Sequence, residues 1–156
     1  MEMREARSGD AQAMSDVLQE LIAAGRRSKA GDAAHVRSHY LEHPRRLSCL
    51  LAFDEAGDLL GFQSLKRADS ANPYGTPVGW GIIGTHIRPS AARKGVGSRL
   101  FAATVAVAAK AKLPAIEAFI GDGNTAALGY YESLGFRTCR HWEGATCKAY
   151  AVGPAH

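Results

Sequence analysis

The segment from Gly79 to Leu100, GWGIIGTHIRPSAARKGVGSRL, constrains the fold more than any other part of the chain. It begins as an apolar strand, turns at Pro89, passes through a basic loop that contains two glycines, and then becomes helical. A strand that leads through glycines into a helix presents free backbone N–H groups and the positive end of the helix dipole. Arg93, Lys94 and Arg99 add positive charge at that end. The segment therefore predicts a bound polyphosphate or pyrophosphate.

Two common phosphate-binding patterns do not describe this loop. The P-loop pattern G-x-x-x-x-G-K-[ST] is absent from the chain. The dinucleotide pattern G-x-G-x-x-G matches at Gly95 and Gly97 but has Leu100 in place of the third glycine. A tight turn that needs glycine only for its backbone is the structural alternative.

Length and composition predict one α/β domain over residues 1–156. The formal charge of +4 and the pI near 9.1 suit an anionic ligand but are too small and dispersed to indicate nucleic acid. The N-terminus lacks the layout of a signal peptide, and no apolar run approaches a membrane span, so we expect a cytoplasmic protein without membrane association. Three cysteines without a C-x-x-C pair predict neither a disulfide framework nor a zinc site.

Hydrophobic periodicity and turn residues predict an ordered series of elements around the opening segment. Four helices are predicted: from the capping residues at Ser8 to a stop at Gly25, from Asp32 to Glu42, from the basic loop to Leu113, and from Thr125 to Leu134 with a stop at Gly135. The predicted strands are Met3–Arg7, Leu47–Asp54, Leu59–Arg67, Val78–Ile87, Ala115–Ile120, and the two arms of a hairpin around Gly144. Apolar residues on both faces of the strand at Val78–Ile87 predict a central position in the sheet.

Three histidines, His35, His39 and His43, recur at every fourth position of the second predicted helix. This spacing places their imidazoles on one helix face, where they could bind a metal or face a substrate. Because no acidic partner has the matching spacing and His43 precedes Pro44, we predict no metal site.

Two motifs carry a family resemblance. The residues IRP at Ile87–Pro89 and ARKGVG at Ala92–Gly97 resemble the acetyl-CoA loop of the GNAT superfamily, [QR]-x-x-G-x-[GA] after a strand and a proline, with Ala92 in place of Arg or Gln. The run NTAALGYYESLGF at 124–136 resembles the family signature N-x-x-A-x-x-[FY]-Y-x-x-x-G-F. With the motifs in the family's order, the chain is identified as a member of the GNAT N-acetyltransferases, and it resembles the amino-acid and phosphinothricin acetyltransferase branch.

The resemblance implies an acyl-CoA N-acyltransferase fold: a mixed, mostly antiparallel sheet of six to seven strands with helices on both faces. Its fourth and fifth strands would splay apart to hold acetyl-CoA as co-substrate. The cofactor-binding residues carried over are the backbone of Thr85, His86 and Ile87, the amides of Ala92, Arg93, Lys94, Gly95, Val96, Gly97 and Ser98, and the side chains of Asn124 and Tyr131. A homodimer is common in the family, but the sequence leaves the oligomeric state open.

Acyl transfer from a thioester requires a neutral amine, stabilisation of an oxyanion and a proton for the leaving thiolate. The chain has no G-x-S-x-G motif, so direct transfer in a ternary complex is the simplest mechanism. The resemblance places Tyr131 near the thioester sulfur, where it is either the general acid or a packed aromatic, whereas Tyr130 is expected in the core. Many relatives carry a glutamate on the fourth strand, but Val78–Ile87 has no carboxylate, which leaves His86 and Glu117 as candidate bases.

The acceptor would enter over the first two helices and the last hairpin. Arginines, lysines and histidines are frequent there, which favours a small-molecule primary amine with a carboxylate, an amino-acid-like acceptor. Two other functions stay open. One is a CoA-binding regulatory module without transfer activity, and the other is acetylation of an amine on a protein or a charged tRNA. A nucleotide-binding Rossmann domain is disfavoured by the hairpins.

Overall fold

The computed structural model describes residues 1–154, which form seven strands and four helices. The strands are β1 (Glu2–Glu5), β2 (Arg46–Phe53), β3 (Leu59–Arg67), β4 (Gly81–Ile87), β5 (Ala115–Gly121), β6 (Arg137–Trp142) and β7 (Ala145–Ala151). The helices are α1 (Ala11–Ala23), α2 (Ala33–Val36), α3 (Val96–Lys110) and α4 (Thr125–Ser133). A π-helical turn (Arg37–Leu41) continues α2 without a break. Within residues 1–154, no helix is long and apolar enough to span a membrane.

All seven strands belong to one sheet, in the order β1-β2-β3-β4-β5-β7-β6. Every pair of neighbours is antiparallel except β4 and β5, which are parallel. This confirms the predicted mixed, mostly antiparallel sheet and the central position of β4. The last hairpin is inserted so that β7, not β6, pairs with β5.

Helices cover both faces of the sheet, as predicted. On one face, α1 and the helical turn after α2 pack on β2 and β3 through Met14, Leu18, Tyr40, Leu51 and Phe62. On the other face, α3 and α4 pack on the central strands through a second set of buried residues, which includes Leu65, Ile83, Phe101, Ile116, Tyr131 and Phe136. The sheet therefore separates two cores, and a side chain on β4 reaches one or the other according to the strand's period of two.

Two glycines end the helices that precede and follow the central strands. Gly25 has φ +73°, and the amide of Arg26 donates to the carbonyl of Leu21. Gly135 has φ +101°, and the amide of Phe136 donates to the carbonyl of Tyr131, against whose ring Phe136 packs. Both are Schellman motifs, in which a left-handed residue satisfies carbonyls at the helix end. The predicted stops at Gly25 and Gly135 are therefore correct.

The start of the central strand was predicted three residues too early. The prediction placed it at Val78, but β4 begins at Gly81. Gly79 has φ +92°, which lies outside the β region of backbone conformation, and residues 78–80 form a turn. Trp80 instead accepts a hydrogen bond from the amide of Ala68 through its carbonyl.

The contact between β4 and β5 is short. The two strands are paired only at Gly81↔Ile116 and Ile82↔Glu117. Beyond these pairs β4 continues to Ile87 along β3, and β5 continues to Gly121 along β7. In the described part of the chain, no strand pairs with the other edge of β4 from Ile83 to Ile87. A gap therefore opens between two strands that are each held firmly on their far side.

Candidate active site

The loop between β4 and α3 ends in a row of free backbone amides. Arg93 and Gly95 have φ of +63° and +78°, which turn the chain so that successive N–H groups point the same way. Within residues 1–154, none of the amides of residues 93–98 has a hydrogen-bond acceptor. The amide of Ala92 donates to the carbonyl of Pro89, so the free row begins one residue later than predicted. With Lys94 and Arg99 also exposed, the loop has the free amides and positive charge that an anion at a helix N-terminus requires.

Close packing fixes this loop to α4. A Cβ atom on Gly97 would lie 2.5 Å from Cε1 of Tyr130, so only glycine fits beneath the ring. The hydroxyl of Tyr130 donates to the carbonyl of Gly97 at 2.8 Å. Gln63 of β3 in turn donates from Nε2 to the Tyr130 hydroxyl at 3.0 Å. The second glycine of the loop is therefore required by the Tyr130 ring that packs on it.

Tyr131 lies beside the unpaired part of β4. Its hydroxyl is 2.8 Å from Oγ1 of Thr85, and its side chain is 5% exposed. Burial raises the pKa of Tyr131 above its ordinary value, which keeps the phenol protonated at neutral pH. Tyr130 was expected to be the core residue of the pair, but it is half-buried and Tyr131 is the more deeply buried.

Asn124 caps α4. Its side-chain carbonyl accepts a hydrogen bond from the amide of Ala127 at 3.1 Å, as an N-cap residue does. Its side-chain NH₂ group has no recorded hydrogen-bond partner in residues 1–154. The predicted contact with a cofactor stays a prediction.

A cleft of about 130 Å³ opens at the gap on the opposite face of the sheet. Because Phe62, Ser64 and Lys66 of β3 lie opposite His86, Gly84 and Ile82 of β4, these six residues share one face. The other walls come from the segment before α2, from the helical turn after it, from the β3–β4 loop and from β5: Arg27, Lys29, His35, His39, Tyr40, Tyr74 and Phe119. We call this the cationic cleft, because among residues 1–154 its lining includes three basic residues and no carboxylate.

His86 is held between aromatic rings in this cleft. Its Nε2 lies 3.0 Å from the hydroxyl of Tyr40, and its ring lies 4.8 Å from that of Phe62. Burial, together with the charges of Arg27 and other cleft groups, lowers the pKa of His86 well below its ordinary value. The imidazole is therefore neutral at physiological pH and can accept a proton or a hydrogen bond.

The three spaced histidines form a stack at the cleft wall. His35 and His39 are stacked with ring centroids 4.9 Å apart, and His43 meets His39 edge-on at 6.5 Å. Burial, and next the charge of Lys66, lower the pKa of His39 to about 3. Within residues 1–154, no group of three or more metal-ligating side chains is placed to hold an ion.

Glu117, the other predicted base, is held by four hydrogen bonds. Arg140 of β6 donates from Nη2 to Oε1 at 2.5 Å and from Nε to Oε2 at 3.0 Å. The hydroxyl of Thr76 donates to Oε1 at 2.9 Å, and the thiol of Cys139 donates weakly to Oε2 at 3.4 Å. Arg140 also donates to the carbonyl of Tyr74 at 2.7 Å. This Glu117 cluster fastens the β3–β4 loop, and with it the Tyr74 wall of the cleft, to the end of the sheet.

Sequence reasoning missed Lys66, Tyr40 and Ser64 as cleft residues. Lys66 is the second-last residue of a correctly predicted strand, and its alternation with Ser64 and Phe62 was the available signal. Tyr40, beside the spaced histidines of its helix, has no comparable pattern of its own in the sequence.

Replacing Glu117 with Gln should destabilise the protein by about 2–3 kcal/mol, because it leaves the partly buried guanidinium of Arg140 without its counter-charge. For a chain of this size that is a fall in melting temperature of roughly 5–10 °C, measured by thermal unfolding. The control is Asp69→Asn, which removes an exposed ion pair with Arg45 from the same loop and should cost less than about 1 kcal/mol. An unchanged melting temperature with turnover reduced a hundredfold would instead identify Glu117 as a catalytic base.

Comparison with known proteins gives matches to acetyltransferases. The family model described as "Acetyltransferase (GNAT) family" matches residues 14–136. Over 105 residues the chain is 33% identical to mycothiol acetyltransferase of Renibacterium salmoninarum, a match that covers 65% of this chain and 28% of that protein. The chain thus spans little more than a quarter of the length of that relative.

Solved structures share the fold. A phosphinothricin acetyltransferase from Sinorhizobium meliloti in complex with AcCoA superposes with a TM-score of 0.78 at 16% identity, over 99% of this chain and 89% of that one. The structure of yncA from Salmonella typhimurium with its cofactor acetyl-CoA gives a TM-score of 0.70 at 18% identity, over 97% and 94%. Since the family model matches well over half of the chain, and the sheet has the strand order and splay that the motifs imply, this protein belongs to the GNAT acetyltransferase family.

Proposed function

We propose that this protein is an N-acetyltransferase that transfers the acetyl group of acetyl-CoA to the primary amine of a small, amino-acid-like molecule. The observation that carries the proposal is the gap between β4 and β5, which has a row of free amides at one end and the cationic cleft beside it. One site for the donor and one for the acceptor therefore meet at the same strand. That arrangement favours direct transfer in a ternary complex, in which positioning supplies much of the rate.

The donor site fits acetyl-CoA in shape and charge. The unpaired edge of β4 at Thr85, His86 and Ile87 offers backbone groups to an extended arm that contains amides, as a missing strand would. The free amides of residues 93–98 suit the pyrophosphate. When bound, the donor would supply a reactive thioester, whose thiolate leaves readily.

Tyr131 is the proposed general acid. It stands at the splayed part of β4 through its contact with Thr85, and its raised pKa keeps a proton available for the thiolate. The motif in α4 contains Tyr131 and brings its hydroxyl to the splayed part of β4.

His86 is the proposed proton acceptor, with Glu117 as the alternative. The imidazole is neutral and lines the cleft, whereas both oxygens of Glu117 already accept hydrogen bonds from Arg140 and Thr76. Arg27, Lys29 and Lys66 lower the pKa of any amine held in the cleft, because they disfavour a further positive charge. The amine therefore loses its proton readily, and a weakly basic imidazole at His86 is enough to accept it.

The three cations also favour an acceptor with a carboxylate. A cleft of about 130 Å³ accommodates a small molecule or the end of a longer one. The absence of carboxylates from its lining, within residues 1–154, disfavours polyamines and other polycations.

Binding of the donor can be tested before any acceptor is known. A ligand at about a hundred times its dissociation constant stabilises a protein by roughly 2.7 kcal/mol. We expect acetyl-CoA and CoA, each in large excess, to raise the melting temperature by several degrees, and NAD and ATP to raise it little. A flat response to both CoA compounds would refute the proposed donor site. A response without transfer to any amine would favour the regulatory module, and transfer only to protein or charged tRNA would favour a macromolecular acceptor.

Replacing Tyr131 with Phe should lower kcat by about 10²–10³-fold, because the leaving thiolate loses its proton donor. The KM for acetyl-CoA should change little. Steady-state kinetics will measure both parameters over pH 6–10, an interval that extends to the reference Tyr pKa of about 10. In the matched control Tyr130→Phe, the loss of the hydrogen bond to Gly97 should raise that KM and leave kcat nearly unchanged. Wild-type turnover of Tyr131→Phe at every pH would remove the residue from proton transfer.

Replacing His86 with Phe keeps an aromatic ring against Phe62 and removes both nitrogens. We expect kcat at saturating substrates to fall by about 10²-fold if the imidazole accepts the proton. Tyr40→Phe removes only the hydrogen bond to Nε2 and should cost less. If kcat of His86→Phe equals that of the wild type, the amine loses its proton to water or to Glu117.

A further inference from the structure

Lys66 is a buried lysine without an internal partner. Its side chain is 7% exposed, and it faces the cationic cleft from the end of β3. Among residues 1–154, no carboxylate forms a salt bridge with Nζ and no atom accepts a hydrogen bond from it. Nζ lies over the face of the Tyr40 ring, 5.4 Å from its centroid. It keeps some contact with solvent through the cleft, but a charge with so little water around it and no counter-charge is costly.

The chain pairs its other buried lysine, and the half-buried Arg140, with carboxylates. Lys148, 5% exposed, forms a salt bridge with Glu132 at 2.9 Å and donates to Thr138 at 2.8 Å. Arg140 is held by both oxygens of Glu117. Lys66 is the exception, and it is also the one that opens onto a cleft.

The groups around Lys66 supply no negative charge. His35 comes from α2, His39 and Tyr40 come from the helical turn after it, and His43 follows that turn. β2 contributes Cys49, and the segment before α2 contributes Lys29. Burial raises the pKa of the Cys49 thiol to about 12, so this group is neutral too. Burial lowers the pKa of Lys66 itself to about 8, so its ammonium form persists up to about that pH.

The other two cations of the cleft are less available. Arg27 donates to the carbonyl of Ala30 at 2.7 Å and lies 3.3 Å from Nε2 of His35. Lys29 lies over the Tyr74 ring, 5.3 Å from its centroid. Arg27 is half-buried and Lys29 is exposed, whereas Lys66 is buried.

We infer that Nζ of Lys66 is the binding point for a carboxylate of the acceptor, and that the bound acid completes the ion pair that the folded chain leaves open. This inference rests on the proposed function, which requires an amine on the acceptor, and it adds a carboxylate as the second group that the acceptor must carry. A single charge-assisted hydrogen bond in a desolvated site discriminates by about 10- to 100-fold. Lys66 is thus a specificity-determining residue that selects carboxylate-bearing amines over neutral amines of the same shape.

The test compares each common amino acid with its carboxamide as acceptor, with acetyl-CoA as donor and released thiol as readout. The wild type should prefer the best acid to its amide by about 10- to 100-fold in kcat/KM, expressed per unprotonated amine. In Lys66→Met the preference should fall to about threefold or less, through a higher KM for the acid. Lys66→Arg should restore part of it, and the control Lys110→Met, an exposed lysine of α3, should behave as the wild type.

Two further variants separate recognition from structure. Lys66→Met should have a higher melting temperature than the wild type without ligand, because the unpaired charge is gone. Ile82 lies directly opposite Lys66 in the sheet, so Ile82→Glu would provide an internal carboxylate. That variant should lose the preference for acids although Lys66 is intact.

The pH dependence gives an independent readout. The preference of the wild type for the acid should decline above about pH 8, as Lys66 of the free enzyme loses its proton, whereas that of Lys66→Arg should persist. An acid-to-amide ratio that Lys66→Met does not change, or a lower melting temperature of that variant, would overturn the inference.

If the wild type acetylates none of these compounds, binding is measured directly. Each amino acid is added in large excess, and the shift in melting temperature is compared between the wild type and Lys66→Met. No shift that depends on Lys66 would overturn the anion site. The response to acetyl-CoA, recorded in the same experiment, judges the donor site separately.

Discussion

The whole site depends on the early end of pairing between β4 and β5. Only two residue pairs join these strands before they separate. The separation is tolerable because each strand keeps a full ladder on its other side, β4 with β3 and β5 with β7. The Glu117 cluster holds β5 and the hairpin together at the point of divergence. The protein thus exposes two inner strand edges, normally a liability, where a ligand could satisfy the backbone groups.

Alternation along one strand distributes the proposed chemistry. Thr85 points to the face covered by α4, where it meets the hydroxyl of Tyr131. His86, the next residue, points to the opposite face, where it meets Tyr40 in the cationic cleft. A closed sheet would keep these two faces apart. The gap opens beside both residues. A proton donor on one face can therefore serve the leaving thiolate while a proton acceptor on the other face serves the attacking amine.

The features that sequence predicted were those set by local physical rules. The helix stops at Gly25 and Gly135 and the apolar period of α3 follow from neighbouring residues, and the two motifs then indicated the splay. The features that it missed depend on distant contacts. The partnership of Glu117 with Arg140 follows from the insertion of β7, and the burial of Lys66 follows from the packing of a π-helical turn over β3. Periodicity within a strand carries no information on what will cover it.

The lack of a carboxylate on β4 and the isolation of Lys66 have one electrostatic explanation. Ile82 is the β4 residue directly across from Lys66 on the cleft face. A glutamate at that position would pair with the ammonium and occupy the place that we assign to the acceptor's carboxylate. The apolar Ile82 keeps the positive charge available, and the same charge disfavours a protonated amine nearby. A cleft that binds an acid through Lys66 therefore needs only a weak base, which is consistent with the neutral histidine at position 86.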